Sequence, residues 1–109
     1  EEYSAVDTVI TIDLSQSMTY SRISQVVKAA QNYISTMRDG DRIAIVTFNN
    51  SAVTRQGLTG DKELLLSALK GLKGTGGTYY NQAVKQTIDA FDMSSSNTKI
   101  AILCLTESL

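Results

Sequence analysis

The chain has 109 residues, 42% of them apolar and 19% charged, with 10 basic and 11 acidic side chains and no histidine. That is one small domain of ordinary globular composition, without the excess positive charge that a nucleic-acid partner demands. The missing histidine and the single cysteine, Cys104, exclude imidazole catalysis, thiolate zinc clusters and an internal disulfide.

The first apolar run, Val6 to Ile12, is rich in β-branched residues and apolar on both faces, as in a strand inside a helix-covered parallel sheet. It ends at Asp13, and a polar loop follows from Leu14 to Tyr20. Ile23, Val26, Val27, Ala30, Ile34 and Met37 then recur at helical spacing, with Ser21 as the expected N-cap and Gly40 as the stop. A second two-faced strand spans Arg42 to Phe48. Asn49-Asn50-Ser51 is read as a tight turn, and Ala52 to Gly57 as a weak return strand at an edge. Asp61 caps a short helix carrying Leu65, Leu66, Leu69 and Leu72. The flexible loop Gly74-Thr75-Gly76-Gly77-Thr78 leads into a helix whose apolar face is read as Ala83, Val84, Thr87, Ile88 and Phe91. A serine-rich connector, Met93 to Asn97, precedes the last strand, Lys99 to Leu105. No apolar run approaches the roughly 20 residues of a membrane span, so membrane insertion is not expected.

The order β-α-β-β-α-α-β implies right-handed crossovers and a three-layer α/β/α, Rossmann-like doubly wound fold. Its sheet is expected to be mainly parallel, with one antiparallel edge strand. Ligands of such sheets sit beyond the carboxyl ends of the strands. Three segments meet there: the loop after the first strand, the glycine-rich loop and the end of the last strand. They offer Asp13, Ser15 and Ser17, then Thr78, then Thr106 and Glu107. All six side chains end in oxygen, a donor set that favours magnesium, manganese or calcium over zinc. In a loop leaving a strand, the alternate residues Asp13, Ser15 and Ser17 can turn toward one centre. Hydroxyls leave a divalent ion with net positive charge, which would attract an external carboxylate.

These motifs resemble the metal-ion-dependent adhesion site of the von Willebrand factor type A domain. The resemblance rests on Asp13-Leu14-Ser15-Gln16-Ser17 after an apolar strand, Gly76-Gly77-Thr78 opening a helix, and Ile102 to Thr106 ending a strand. It implies that Ser15, Ser17 and Thr78 bind Mg2+ (or Mn2+ or Ca2+) directly, with Asp13 acting through water. Glu107 takes the position of the family's second aspartate, in Thr106-Glu107-Ser108 where the family usually has Thr-Asp-Gly. The remaining coordination position would go to an Asp or Glu of a protein partner, in a non-enzymatic adhesion module. The family's adhesion members favour an extracellular or cell-surface setting. The resemblance spans about the first two-thirds of the family fold, so the chain is read as a partial domain.

The bland reading of Asp13, Ser15 and Ser17 is a capped loop ahead of a helix. The enzymatic alternative is Mg-dependent phosphoryl transfer, or a receiver-like domain, using Asp13 at the end of a first parallel strand. Phosphatases of that type carry a second aspartate two residues later, where this chain has Ser15. Tyr20, Tyr79 and Tyr80 are candidates for a protein-binding rim, and Cys104 is read as an inert buried thiol. A homodimer is expected through the Lys99 to Leu105 edge, which has no further strand to cover it.

Overall fold

β-Branched residues fill the first two strands, β1 (Val6–Asp13) and β2 (Arg42–Phe48), and almost every position of both is buried. The computed structural model that shows this describes residues 4–105. β1 and β2 run parallel in the register Asp7 opposite Arg42 through Asp13 opposite Phe48. The third strand, β3 (Ala52–Thr59), folds back antiparallel on β2 with register shifts around Ile45, and its residues alternate between half-buried and exposed. β4 (Thr98–Cys104) pairs parallel with the other side of β1. The sheet order is thus β3-β2-β1-β4, three parallel strands with one antiparallel strand at an edge, as the sequence predicts.

Helices cover both faces. α1 (Tyr20–Ser35) and α2 (Lys62–Ala68), with the Leu69 that caps it, bring Ile23, Ala30, Ile34, Leu65 and Leu69 against Ile10, Ile12, Ile43 and Ile45. On the opposite face, α3 (Tyr80–Ala90) and the residue after it bring Ala90 and Phe91 against Val9, Ala44 and Val46. The second cluster is small and is supplemented by polar contacts. Thr11 and Thr87 share a buried 2.6 Å hydrogen bond, and the Thr87 hydroxyl also lies 2.7 Å from the Ala83 carbonyl. Together they pin α3 to β1 two residues before Asp13.

Three local expectations need correction. Thr19, not Ser21, caps α1, its hydroxyl accepting from the Arg22 N–H, because the loop turns into the helix two residues earlier than the apolar stripe suggests. α1 ends at Ser35 and caps on Thr36, so Met37 lies beyond it and Gly40 serves the following turn at φ 91°. On α3 the sheet takes Ala83 and Thr87, while Val84 and Ile88 are 49% and 52% exposed. Val84 and Ile88 lie one residue round the helix from Ala83 and Thr87, and the shared Thr87–Thr11 bond selects which stripe faces inward.

At the amino end of the parallel strands, polar groups close on one another. Asp7 is fully buried and takes two hydrogen bonds from the Arg42 guanidinium, at 3.1 and 2.9 Å, and one from the Asn97 amide at 2.9 Å. Burial pushes its carboxyl up, but the bonds from Arg42, Asn97 and Ser95 outweigh that and hold it below the usual range.

Candidate metal centre

β1 delivers Asp13 to the carboxyl end of the sheet with its side chain buried. One carboxylate oxygen accepts from the Ser15 backbone N–H at 2.8 Å, folding the loop back over the aspartate. The turn continues with the Met18 N–H on the Ser15 carbonyl at 2.9 Å, and buried Leu14 and Met18 anchor it in the core. Ser15 is 2% exposed, and its Oγ has no hydrogen-bond partner among the described residues. Ser17 is exposed on the outer limb of the loop, where its carbonyl accepts from Arg22.

The glycine-rich loop is knitted to this one through the backbone. The Thr75 N–H donates to the Leu14 carbonyl at 2.8 Å, and the Gln16 N–H donates to the Gly76 carbonyl at 2.9 Å. Gln16 lies between the two serines, so this bond ties both of them to the strand of chain leading to Thr78. Gly74 makes the approach possible. A Cβ there would lie 2.2 Å from the Met18 carbonyl oxygen and 2.7 Å from that of Ser15, inside any tolerable contact. Thr78 itself is half-buried just ahead of α3.

The structure thus brings the Asp13–Ser17 loop and the Gly74–Thr78 loop together, with Asp13 and Ser15 inside and Ser17 and Thr78 nearer the surface. Thr106 and Glu107 lie outside the described residues. Among the described residues no group of three or more carboxylate, thiol or imidazole side chains gathers anywhere. A cation held here would therefore rely on hydroxyls and the one carboxylate of Asp13. A buried hydroxyl with no partner is costly unless something else completes it, so the residues present fit a hard cation.

Around the loops stand exposed tyrosines. Tyr20 is 88% exposed, and Tyr79 and Tyr80 are also exposed, with the Tyr80 ring tilted against buried Phe48 at 5.8 Å. Thr78, Tyr79, Tyr80, Asn81 and Gln82 line a hollow of about 440 Å³. A larger hollow of about 770 Å³ lies between α1 and α2, but it holds none of the oxygen ligands, so size does not locate the site. Cys104 is half-buried with its thiol pushed up by burial, which leaves it protonated and unreactive. No helix among the described residues is long and apolar enough to cross a membrane.

Sequence reasoning passed over Asn49 and Asn50, treating them as a turn. The Asn49 carbonyl accepts from the Tyr79 N–H at 3.1 Å, and the Asn50 Oδ1 accepts from the Gly77 N–H at 2.5 Å. A turn closing the strand next to β1, on the same end of the sheet as Asp13, was the available signal.

A mainly parallel sheet covered by helices on both faces defines the class as a doubly wound α/β domain. Within that class, the profile of the von Willebrand factor type A domain matches residues 8–107, and the chain belongs to that family. A search of curated proteins finds no significant match. Among solved structures, the chain is similar to the vWF domain of the type V pili tip protein Mfa5 from Porphyromonas gingivalis. That match has 22% identity and a TM-score of 0.87 and covers all of this chain and 40% of the other. A von Willebrand factor type A protein from Catenulispora acidiphila is 28% identical with a TM-score of 0.80, over 90% of this chain and 25% of that one. The conserved hypothetical protein BatB from Bacteroides thetaiotaomicron is 20% identical with a TM-score of 0.81, over 90% and 52%. The chain therefore spans about half or less of the length of each of these structures.

Proposed function

We propose that this domain is a non-enzymatic, divalent-cation-dependent protein-binding module. The observation that carries the reading is the Ser15 hydroxyl, buried beside Asp13 without a partner in a loop that two backbone bonds hold against the glycine-rich segment. Ser15, Ser17 and Thr78 would hold Mg2+, Mn2+ or Ca2+, with Asp13 behind them and Glu107 as the further acidic group. The ion supplies an electrophilic centre for an Asp or Glu carboxylate of a partner protein. Tyr79 and Tyr80, beside Thr78, offer apolar area and phenol hydroxyls to the residues flanking that carboxylate. An oxygen ligand set with Ser15 in place of a second carboxylate gives no nucleophile a helper and supports binding rather than phosphoryl transfer. The pilus-tip origin of one fold relative supports an extracellular or cell-surface setting.

The test is titration of the protein with Mn2+ and Mg2+, read by calorimetry and thermal shift, with Asp13→Ala and Ser15→Ala beside the parent. Saturable binding in the parent and its loss in both variants is expected. A parent that ignores both ions would sink the reading. Turnover of a phosphomonoester that disappears in Asp13→Asn would replace it with an enzymatic one.

A second reading concerns assembly of these 109 residues. β4 pairs on one side with β1, and Ile100, Leu103 and Leu105 at that edge of the sheet are exposed. We infer that two copies meet through the 99–105 edge, since the outer backbone groups of β4 pair with no strand among the described residues. Sedimentation at high protein concentration should show a dimer that Leu103→Lys disperses. A monomer throughout would rule it out.

A further inference from the structure

Thr78 follows three glycines within four residues, so its own loop offers almost no side chain to hold it in place. The bonds that bracket it come from elsewhere. One residue before it, the Gly77 N–H donates to the Asn50 Oδ1 at 2.5 Å, and one residue after it, the Tyr79 N–H donates to the Asn49 carbonyl at 3.1 Å. The Asn49 side-chain amide adds a longer contact to the Thr75 hydroxyl at 3.4 Å. The same Asn50 oxygen stands 2.8 Å from where a Cβ on Gly76 would lie and 3.1 Å from one on Gly77. It occupies the space that these two glycines leave open, and Gly76 also needs its φ of 76°. On the far side of the loop, the Gly76 carbonyl receives the N–H of Gln16, between Ser15 and Ser17.

We propose that Asn50 is a positioning residue of the metal centre: its side-chain oxygen orders the glycine-rich loop and so sets the Thr78 hydroxyl against the Ser15–Ser17 loop. The inference rests on the metal-site reading for its consequence, but its structural half stands apart from the ion. The β2–β3 turn thereby becomes part of the site without supplying a ligand. Outer-shell partners of metal ligands typically contribute about 10- to 100-fold in affinity, and Asn50 acts one step further out, so an effect near the lower end is expected.

The experiment compares the parent with Asn50→Ala and Asn50→Asp in the full chain. Asn50 is an exposed turn residue, and unchanged far-UV circular dichroism with unchanged exchange at the buried β1 amides will establish that each variant is folded. In metal-free protein, hydrogen exchange of the segment 74–79 should accelerate at least about 10-fold in Asn50→Ala and return toward the parent in Asn50→Asp, which keeps an acceptor oxygen. Mn2+ affinity should fall about 10-fold in Asn50→Ala and recover in Asn50→Asp. Exchange unchanged in Asn50→Ala overturns the proposal, as does accelerated exchange with Mn2+ affinity equal to the parent's. A parent that binds no Mn2+ overturns the metal centre instead, and exchange alone then decides whether Asn50 orders the loop.

Discussion

Asp7 and Asp13 stand six residues apart on one face of β1, both fully buried, and the two ends of this strand are built on opposite plans. At the Asp7 end the charges and amides close on each other: Arg42 reaches both carboxylate oxygens, Asn97 reaches one of them and also the Gly40 carbonyl, and Asp92 adds a second acid at 3.5 Å from Arg42. At the Asp13 end the carboxylate folds a loop through the Ser15 N–H, and the hydroxyl beside it has no partner among the described residues. A saturated cluster can only hold the fold together. A buried hydroxyl with no partner among the described residues still has hydrogen-bonding and ligating capacity left over. The contrast distinguishes Asp7, whose partners are all within the fold, from Asp13, the candidate site carboxylate, without appeal to burial, which is the same for both.

The largest effect should come from Asp7→Ala. Losing one partner of a buried, hydrogen-bonded ion pair costs about 3–5 kcal/mol, and because the Arg42 side chain is about a third exposed the lower end, about 3 kcal/mol, is expected. Urea unfolding measures it, and metal affinity should not change. Next, Gly74→Ala forces a methyl group against two carbonyl oxygens, and about 2–3 kcal/mol should be lost as the two loops part. Here, unlike at Asp7, Mn2+ binding should fail together with stability. Stability against pH gives a smaller signal. The Asp7 carboxyl is depressed in the folded state, so its contribution is complete above the ordinary value near 3.8 and fades as pH falls through the lower folded value. Asp7→Asn should flatten that acid limb while leaving the profile above pH 5 parallel to the parent's. The smallest change should be in the opposite direction. Ser15→Ala removes a buried hydroxyl that has no partner, so metal-free protein should be as stable as the parent or gain up to about 1 kcal/mol. The same variant should show no Mn2+-dependent thermal shift. A destabilised metal-free Ser15→Ala would mean that the two ends of β1 are alike after all.

Most of the architecture is legible in the sequence because β1 and β2 are apolar on both faces and α1 is apolar on one, and those patterns have few other uses. The antiparallel β3 was readable from the Asn49-Asn50-Ser51 turn ahead of it, and its Arg55 guanidinium donates to the Thr47 hydroxyl at 2.8 Å. Helix α3 was harder, since the more apolar stripe, Val84/Ile88, is the one left exposed, while Ala83/Thr87, tied to β1 by a threonine–threonine bond, faces inward. Asp13, Ser15, Ser17 and Thr78 stood out as candidates from their spacing and from the glycines near Thr78, and the structure brings their two loops together. Asn50 was not, because its role depends on an oxygen filling the space above two glycines 26 and 27 residues away, which no local pattern encodes. The pairing of Asp7 with Arg42 and Asn97 is likewise a matter of strand register.

β1 lies in the interior of the sheet, and one of its two neighbours, β4, is far along the chain, with Val6 opposite Thr98. During synthesis β1 can pair early with β2, but its other edge stays open until β4 has emerged, with Val6 waiting for Thr98. Contacts so distant in sequence slow folding, because a long loop must close before they repay it. For most of that interval the nascent chain carries an apolar strand with a bare edge, and the Ser15 loop exists before the glycine-rich segment that completes it. Chaperone dependence during production should therefore track the β1–β4 pairing rather than the two loops at the carboxyl end of the sheet.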